Sequence, residues 1–534
     1  MFILEAQKVK KWLGDRLLFS MDQLQIFKGD KIGIVGVNGA GKTTLLRCLS
    51  KEMPVDEGII HLHGTMSWIH QGDGLDSDLE PPASGGEKTR RKIIKALAKS
   101  PALLLADEPT SHLDLESIQW LEKELQQYPG ALLLISHDRS LLNAVCDKII
   151  EVEQGVVQVY TGNYDEYRQQ KEEQFRRQAF EYEQYVAEKR RLLDAKAETQ
   201  LASQRVRKAP KRMGPSEARL HKWVTSGKKK KLDQGTKAIQ SRINQLEEKE
   251  KPTSLPSVRF ETEVFRPMES RVALRIDQVS KRIGARELFN SFTCQIPSGK
   301  KIALLGKNGV GKSTLLQMIV DQVPGVYLSP STQIGYFRQN LTQLDEQKSI
   351  LENVKEESPY TESLVRTVLA RLLFRREDVY KPVGVLSGGE RVKVALAKVF
   401  LSDCNCLLLD EPTNFLDVFT REELENVLRA YPGTILFASH DRQLIQGLAE
   451  HVLLIENKEA IYFSGTYQEW IQHKKDRSLS DLVVEEKQRL LSLENELSEV
   501  LGRLSTTPKG DISSQLEKRF QQLVEEIKQV KARM

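Results

Sequence analysis

No stretch of about 18 consecutive apolar residues occurs in the 534 residues, so the sequence offers nothing to span a bilayer as a helix. Cysteine is scarce. Five residues are too few for a disulfide scaffold at this length, and the only close pair, Cys404 and Cys406, has no second pair to complete a zinc site. The opening MFILEAQKVKKW lacks the apolar core and cleavage site of a signal peptide. The expectation is therefore a reducing, cytoplasmic location. Charge of one sign is also in short supply, the net being only +5. Hydrophobic residues at 40% can fill several cores, and 29% charged residues suit a soluble chain of about three to five domains.

The chain repeats itself. GVNGAGKT at 36–43 and GKNGVGKS at 306–313 both match G-x-x-x-x-G-K-[ST], 270 residues apart. ASGGE at 83–87 matches LSGGE at 386–390, LLLADEPTSHLD at 103–114 matches CLLLDEPTNFLD at 406–417, and LISHDRSLL at 134–142 matches FASHDRQLI at 437–445. YTGNYDEY at 160–167 matches FSGTYQEW at 463–470. Two copies of one nucleotide-binding domain follow.

Between the copies the composition changes. Residues 165–251 hold 23 basic and 14 acidic residues, a net of +9, which leaves −4 for the rest. Phe175, Ala179, Tyr182 and Val186 recur at helical spacing, as do Ile239, Ile243 and Leu246. Pro210, Gly214 and Pro215 interrupt between them. This pattern predicts a long antiparallel helical hairpin with its tip near 209–216. An outgoing helix of about 44 residues would reach roughly 65 Å. Residues 201–231 carry 11 basic residues and one acid. A lysine-rich helix is often only a solvated face, but charge concentrated at a tip favours a phosphate-rich partner. Residues 476–534 predict a shorter hairpin. Leu490, Leu493, Leu497, Leu501 and Leu504 form one seam, and Leu516, Phe520, Leu523, Ile527 and Val530 form the return.

The repeated motifs define a chemistry. The glycine-rich loops leave N–H groups free to cradle phosphates at a helix N-terminus. They comprise Gly36, Asn38, Gly39, Gly41, Lys42, Thr43 and Thr44, and Gly306, Asn308, Gly309, Gly311, Lys312, Ser313 and Thr314. Lys42 and Lys312 would reach the β- and γ-phosphates of ATP, while Thr43 and Ser313 would hold Mg²⁺. Asp107 and Asp410, ending apolar strands, suit the Mg²⁺ shell. Glu108 and Glu411 follow by one residue and are placed to polarise the attacking water. His137 and His440 would hydrogen-bond the γ-phosphate. A lone histidine is more often structural, but this one is duplicated. Ser84, Gly85, Gly86 and Ser387, Gly388, Gly389 present small residues ahead of a basic helix, a second anion site.

In this order, twice over, the motifs resemble the ATP-binding cassette superfamily. Two cassettes on one chain, EPTSHLD and EPTNFLD, and the charged linker resemble its ABC-F family over about residues 1–475. The resemblance implies an α/β fold: two tandem ABC-type P-loop ATPase domains (1–164 and 266–475) joined by the antiparallel helical hairpin (165–265), with the C-terminal hairpin at 476–534. It implies a monomer whose cassettes close head to tail. Lys42 would then share a nucleotide with Ser387-Gly388-Gly389, and Lys312 with Ser84-Gly85-Gly86. Gln71 and Gln339 fit the Q-loop position at the metal, and Trp12 fits an adenine platform. It also implies binding to the bacterial ribosome at the E site, with contacts to ribosomal RNA and the P-site tRNA.

The copies differ. Gln71 to Ser84 spans 13 residues, but Gln339 to Ser387 spans 48, so the first copy lacks 35 residues of helical subdomain. Against Trp12, 30 residues before Lys42, stands Ile283, 29 before Lys312. The linker tip, including Lys211, Arg212 and Met213, and the shortened first subdomain look like the antibiotic-resistance ribosomal protection proteins. The implied drugs act at the peptidyl-transferase centre: lincosamides, pleuromutilins and streptogramin A. The alternatives are a general translation factor of the same family, the ATPase subunit of a drug exporter, and a DNA-associated protein. The 87-residue linker argues against the exporter. The C-terminal segment, with 10 basic and 11 acidic residues, is a poor duplex binder.

Overall fold

The computed structural model describes residues 2–70, 85–111, 113–205, 215–251, 260, 265–284, 286–338, 344–374, 376–456, 458–474, 476, 493, 496–498, 500 and 518–528. The chain divides into two compact units, one mainly of residues 1–257 and the other mainly of residues 258–534.

The first unit holds a nine-stranded sheet. Its strands are Phe2–Leu13 (β1), Arg16–Phe27 (β2), Lys31–Val35 (β3), Glu57–Leu62 (β4), Met66–Ile69 (β5), Leu103–Asp107 (β6), Ala131–Ile135 (β7), Lys148–Glu153 (β8) and Val156–Thr161 (β9). The order is β4-β1-β2-β9-β8-β3-β7-β6-β5. From β8 to β5 neighbours run parallel. The strands β6 and β7, LLLAD and ALLLI, are buried at every position, which is why they read as continuous apolar runs. β1, β2 and β4 pair antiparallel, and a single parallel bridge, Ser20 to Val156, joins them to the rest.

The second unit repeats the plan with Val272–Ile283 (β10), Arg286–Pro297 (β11), Lys301–Leu305 (β12), Val326–Leu328 (β13), Ile334–Phe337 (β14), Cys406–Asp410 (β15), Thr434–Ala438 (β16), His451–Glu456 (β17) and Glu459–Phe463 (β18). Here the antiparallel part, β11-β10-β13, is a separate sheet from β14-β15-β16-β12-β17-β18. Helices Ile350–Lys355, Glu362–Arg371 and Gly388–Phe400 precede β15, whereas the first unit has one described helix, Gly85–Ala98, at that stage. The helical subdomain is thus shorter in the first copy among the described residues. Cys404 and Cys406 are buried free thiols, pushed up by desolvation.

The linker begins as a 41-residue helix, Tyr164–Gln204, and returns as a 31-residue helix, Pro215–Gln245. Asn163 and Glu166 form a reciprocal capping box at its start. The contact seam differs from the apolar spacing. Phe175 and Val186 are 37% and 42% exposed, while Leu192 and Ser203, about a third of a turn around the helix, are buried. Polar pairs set the pairing: Ser203 Oγ donates to Asp233 Oδ1 at 2.6 Å and Lys196 Nζ to Gln240 Oε1 at 2.6 Å. Periodicity alone reports a helix face, not which face its neighbour chooses. The tip residues Lys211, Arg212 and Met213 lie outside the described residues. So does most of the segment 476–534 expected to form a C-terminal hairpin; its described residues are helical, with Arg519 Nη2 donating to Glu496 Oε1 at 2.9 Å and Leu523 buried.

Where the long helix leaves the first sheet, a buried polar knot holds it. Glu151 on β8 is 3% exposed. It accepts from Tyr167 Oη at 2.5 Å, Tyr160 Oη at 3.2 Å and Lys171 Nζ at 2.9 Å. The strand registers match Glu151 to Leu454 and Tyr160 to Phe463, and the repeat matches Tyr167 to Trp470. The knot therefore belongs to the copy that carries the linker. Tyr167→Phe is expected to destabilise the chain by about 1.5–3 kcal/mol, the worth of a hydrogen bond to a charged group. Replacing the carboxylate and both tyrosines by their counterparts (Glu151→Leu, Tyr160→Phe, Tyr167→Trp) is expected to be near neutral, since no buried charge is then stranded and Lys171 keeps its ion pair with Glu153 at 2.9 Å. Urea midpoints of the two variants check both statements. Equal destabilisation would show that the carboxylate is not the centre of the knot.

Candidate functional site

In each copy the motifs meet at the carboxyl ends of three adjacent parallel strands, the usual ligand edge of such sheets. β3, β7 and β6 end in the glycine loop, His137 and Asp107; β12, β16 and β15 end in its repeat, His440 and Asp410. The strand order places the histidine's strand between the other two.

The loops require glycine. Gly41 and Gly311 have φ of 99° and 109° and cap helices Lys42–Leu49 and Lys312–Val320 with no side-chain acceptor. A Cβ at Gly36 would lie 2.6 Å from the Val152 carbonyl oxygen. The first-turn amides are left for an anion. Lys42 Nζ donates to Gly36 O at 2.8 Å, and Lys312 Nζ to Gly306 O at 2.9 Å. Burial lowers the pKa of both ammonium groups, with Glu108 and Glu411 opposing the shift. Ser313 Oγ donates to Asp410 Oδ1 at 3.0 Å. The Thr43 hydroxyl hydrogen-bonds Asp107. Both carboxyl pKa values are raised, chiefly by desolvation. One hydroxyl and one carboxylate per site fit Mg²⁺, which keeps water and phosphate as its other ligands. Among the described residues no cluster of three metal-ligating side chains exists.

Glu108 and Glu411 both sit at φ 49°, a conformation costing roughly 1–3 kcal/mol outside glycine. Their amides donate to Ile135 O and Ala438 O, each at 2.9 Å. The duplicated strain turns each side chain toward its histidine: His137 Nε2 lies 3.3 Å from Glu108 Oε1, and His440 Nε2 lies 3.4 Å from Glu411 Oε1. Desolvation pushes Glu411 up to about 7, with Lys312 opposing. Burial, aided by Lys312, brings His440 down to about 3. His440 is therefore neutral at neutral pH. Lys312 Nζ at 3.0 Å makes Nε2 the acceptor and leaves the ring proton on Nδ1.

The raised carboxyl has a consequence for stability. Ionising Glu411 in the fold costs more than in the unfolded chain, so this group's contribution is lost as pH rises from about 4.5 through about 7. In nucleotide-free protein with chelator, Glu411→Gln is expected to melt above the parent at pH 8 and to converge with it near pH 5. A difference independent of pH would contradict the buried carboxyl's shift.

The SGGE motif has a structural half. Ser387 caps helix Gly388–Phe400, and Glu390 Oε2 accepts from the Ser387 amide at 2.9 Å and hydroxyl at 2.6 Å. This is a capping box that leaves the Gly388 and Gly389 amides without a side-chain cap. Gly85 and Gly86 open helix Gly85–Ala98. Gln71, Ser84 and Gln339 lie outside the described residues.

Sequence reasoning missed Asp138 and Asp441. Asp441 Oδ1 accepts from Leu444 N at 3.1 Å and its own amide donates to Ser439 Oγ at 3.0 Å, which pins His440 between two fixed neighbours. Ser136 and Asp138 repeat this. The duplicated S-H-D was the signal. The structure also corrects one correspondence. Trp12 pairs with Leu17 and Leu13 with Arg16; Arg282 pairs with Glu287 and Ile283 with Arg286. The residue matching Trp12 is therefore Arg282, and Ile283 matches Leu13. Trp12 is 42% exposed on the hairpin, its amide held by Asp56 Oδ2 at 2.7 Å.

A glycine loop, a strand-end Asp-Glu pair and a half-buried histidine, repeated at the parallel strands of two sheets, define a duplicated P-loop ATPase. Comparison with known proteins agrees. The ABC transporter family profile matches residues 20–80 and 289–414. The erythromycin resistance ATP-binding protein MsrA of Staphylococcus epidermidis is 34% identical over 84% of this chain and 96% of its own length. The ribosome protection protein VmlR of Bacillus subtilis (strain 168) is 31% identical over 97% of this chain and 96% of its own. Among solved structures, the complex of archaeal ribosomal stalk protein aP1 and ribosome recycling factor aABCE1 matches with TM-score 0.57. That match is 18% identical and covers 86% of this chain and 90% of that one, a likeness of fold. The chain belongs to the ABC-F family of ATP-binding cassette proteins and is an ATPase. No described helix is long and apolar enough to cross a membrane.

Proposed function

We propose that this chain is a cytoplasmic, ATP-dependent ribosome-binding protein that protects the peptidyl-transferase centre from antibiotics, its linker entering from the E site beside the P-site tRNA. One observation carries this reading: a cassette ATPase with a 41-residue helix running out and a 31-residue helix returning, whose stretch Lys228–Lys231 is exposed at every position. At about 1.5 Å per residue the outgoing helix is roughly 60 Å long. Such a rod is unneeded for nucleotide turnover and suits reach into a folded RNA, where lysines contact phosphates without reading sequence. The two named relatives, an erythromycin resistance protein and a ribosome protection protein, favour the same reading. The division of labour follows: cassettes at 1–164 and 266–475, linker at 165–265 and C-terminal hairpin at 476–534.

In the cassettes, Lys42 and Lys312 leave their loop carbonyls to bind ATP phosphates, and the amides after Gly41 and Gly311 complete the cradle. Thr43 with Asp107, and Ser313 with Asp410, would hold Mg²⁺, and Gln71 and Gln339 would add to its ligands. When bound there, the ion would supply charge neutralisation at the transferring phosphoryl group. Glu108 and Glu411 accept the proton of the attacking water, a task to which the carboxyl of Glu411, raised to about 7 by desolvation, is matched. His440, held neutral, donates to the γ-phosphate from Nε2 once Lys312 turns to the nucleotide and the ring proton shifts from Nδ1, and registers the phosphate's loss; His137 takes the same place in the first copy. Trp12 offers its exposed face to adenine.

The test is sedimentation of the Glu108→Gln, Glu411→Gln chain with bacterial ribosomes through sucrose. Retention with ATP and loss without it are expected, followed by a drug-susceptibility difference in cells. ATP-bound protein that stays off ribosomes would transfer the argument to an exporter subunit, which drug accumulation in cells would then report.

A further inference from the structure

The two nucleotide sites differ in what stands over the glycine loop. In the first copy the β1–β2 turn offers Trp12, and Gly39 has open space above it. In the second copy the matching position is Arg282, whose side chain is 75% exposed. Four residues on, Arg286 leans over the loop. A Cβ built on Gly309 would lie 3.4 Å from its Nη1 and 3.9 Å from its Nη2. Its counterpart Arg16 does not reach Gly39 in this way. Arg286 is exposed and makes no ion pair or hydrogen bond among the described residues. Arg282 is tied to Glu287 Oε1 only at 3.4 Å, and Glu287 is shared with Lys458 at 3.0 Å. Both hairpins carry a register shift immediately before the position, between Lys11 and Trp12 and between Lys281 and Arg282. Such an irregularity re-aims the side chain that follows it.

The geometry points to Arg282 and Arg286 as nucleotide contacts of the second site: Arg282 as the platform under the base, where the first site uses an indole, and Arg286 as a phosphate ligand above Gly309. A guanidinium plane stacks on a π-face and also fits phosphate oxygens as a fork. A free guanidinium against a phosphate-binding loop has no acceptor until the anion arrives, so its hydrogen bonds form on binding. The second site then depends on charge where the first depends on aromatic stacking, and its affinity falls more steeply with salt. The inference rests on the assignment of the second glycine loop to ATP phosphates.

The experiment uses the full chain carrying Lys42→Ala, which confines ATP to the second loop. Radiolabelled ATP is titrated by equilibrium dialysis at two salt concentrations. Arg286→Ala is expected to weaken binding roughly ten- to a hundredfold and to flatten the salt dependence. Arg286→Lys should recover only part of it, because a point charge cannot fork. Arg282→Ala should weaken binding roughly five- to tenfold, and Arg282→Trp should restore it with the flatter salt response of the first site. Both residues are exposed, so melting temperatures should not move. If both alanine variants bind as the parent while Lys42→Ala, Lys312→Ala binds nothing, the two arginines are spectators and the proposal falls alone. If that double lysine variant still binds ATP, the glycine-loop assignment falls and takes the proposal with it.

Discussion

Changing Glu108 and Glu411 together to glutamine is expected to leave ATP bound and to lower its hydrolysis by about 10²–10⁴, the usual worth of a general base. The expectation follows from geometry before pKa. Each glutamate is the residue after the strand-end aspartate, turned by a left-handed backbone angle of 49° toward the histidine of the next strand. The amide hydrogen bonds that hold this turn use main-chain atoms, Ile135 O and Ala438 O, so glutamine can keep it. Glu411 Oε1 is buried with no hydrogen-bond partner among the described residues, an acceptor waiting for a donor such as water. Glutamine has the same shape but cannot take the proton. It also removes a buried negative charge that would face the γ-phosphate, so binding should hold or tighten. Single variants should each leave the other site turning over. Phosphate release under single-turnover conditions is the measurement. A double variant within about threefold of the parent would remove both glutamates from the chemistry.

Much of this site was legible because its chemistry is written in contiguous residues. A glycine loop, a strand-end acid pair and S-H-D each specify their own local geometry, and each occurs twice. What contiguity cannot encode was missed. The strain at Glu108 and Glu411 arises from strand ends meeting, and no residue type announces it. The capping role of Glu390 was hidden inside a motif read only for its small residues. Counting back from Lys312 set Ile283 opposite Trp12, but pairing across the hairpin, not distance along the chain, decides which residue faces the loop. The linker shows the same limit. Phe175, Ala179, Tyr182 and Val186 truly lie on one helix face, yet Ser203 with Asp233 and Lys196 with Gln240 select a different one. Helical phase is a property of one segment; the choice of partner is a property of two.

The second large effect is expected at the loop glycines, where Gly41→Ala and Gly311→Ala should each remove one ATP from a stoichiometry of two. Two costs combine. The backbone stands at φ 99° and 109°, well into the region that side chains avoid, at about 1–3 kcal/mol. The added methyl also meets buried side chains, Leu18 Cγ at 2.7 Å and Phe289 Cζ at 2.7 Å. Phe289 is fully buried in the core beneath β12 and cannot retreat. Relief must therefore come from the loop, which would swing the first-turn amides and Lys42 or Lys312 off the phosphates. Affinity at the altered loop should fall at least roughly a hundredfold, about 3 kcal/mol. Gly39→Ala separates the two costs. Its φ is 77°, but its Cβ would meet nothing within 4 Å, so strain alone remains and roughly a tenfold loss is expected. Equilibrium dialysis of the three single variants gives the order. If Gly39→Ala is as damaging as Gly41→Ala, backbone conformation alone governs the loop. If Gly41→Ala binds two ATP like the parent, the packing of Leu18 and Phe289 against the loop has no part in shaping the cradle.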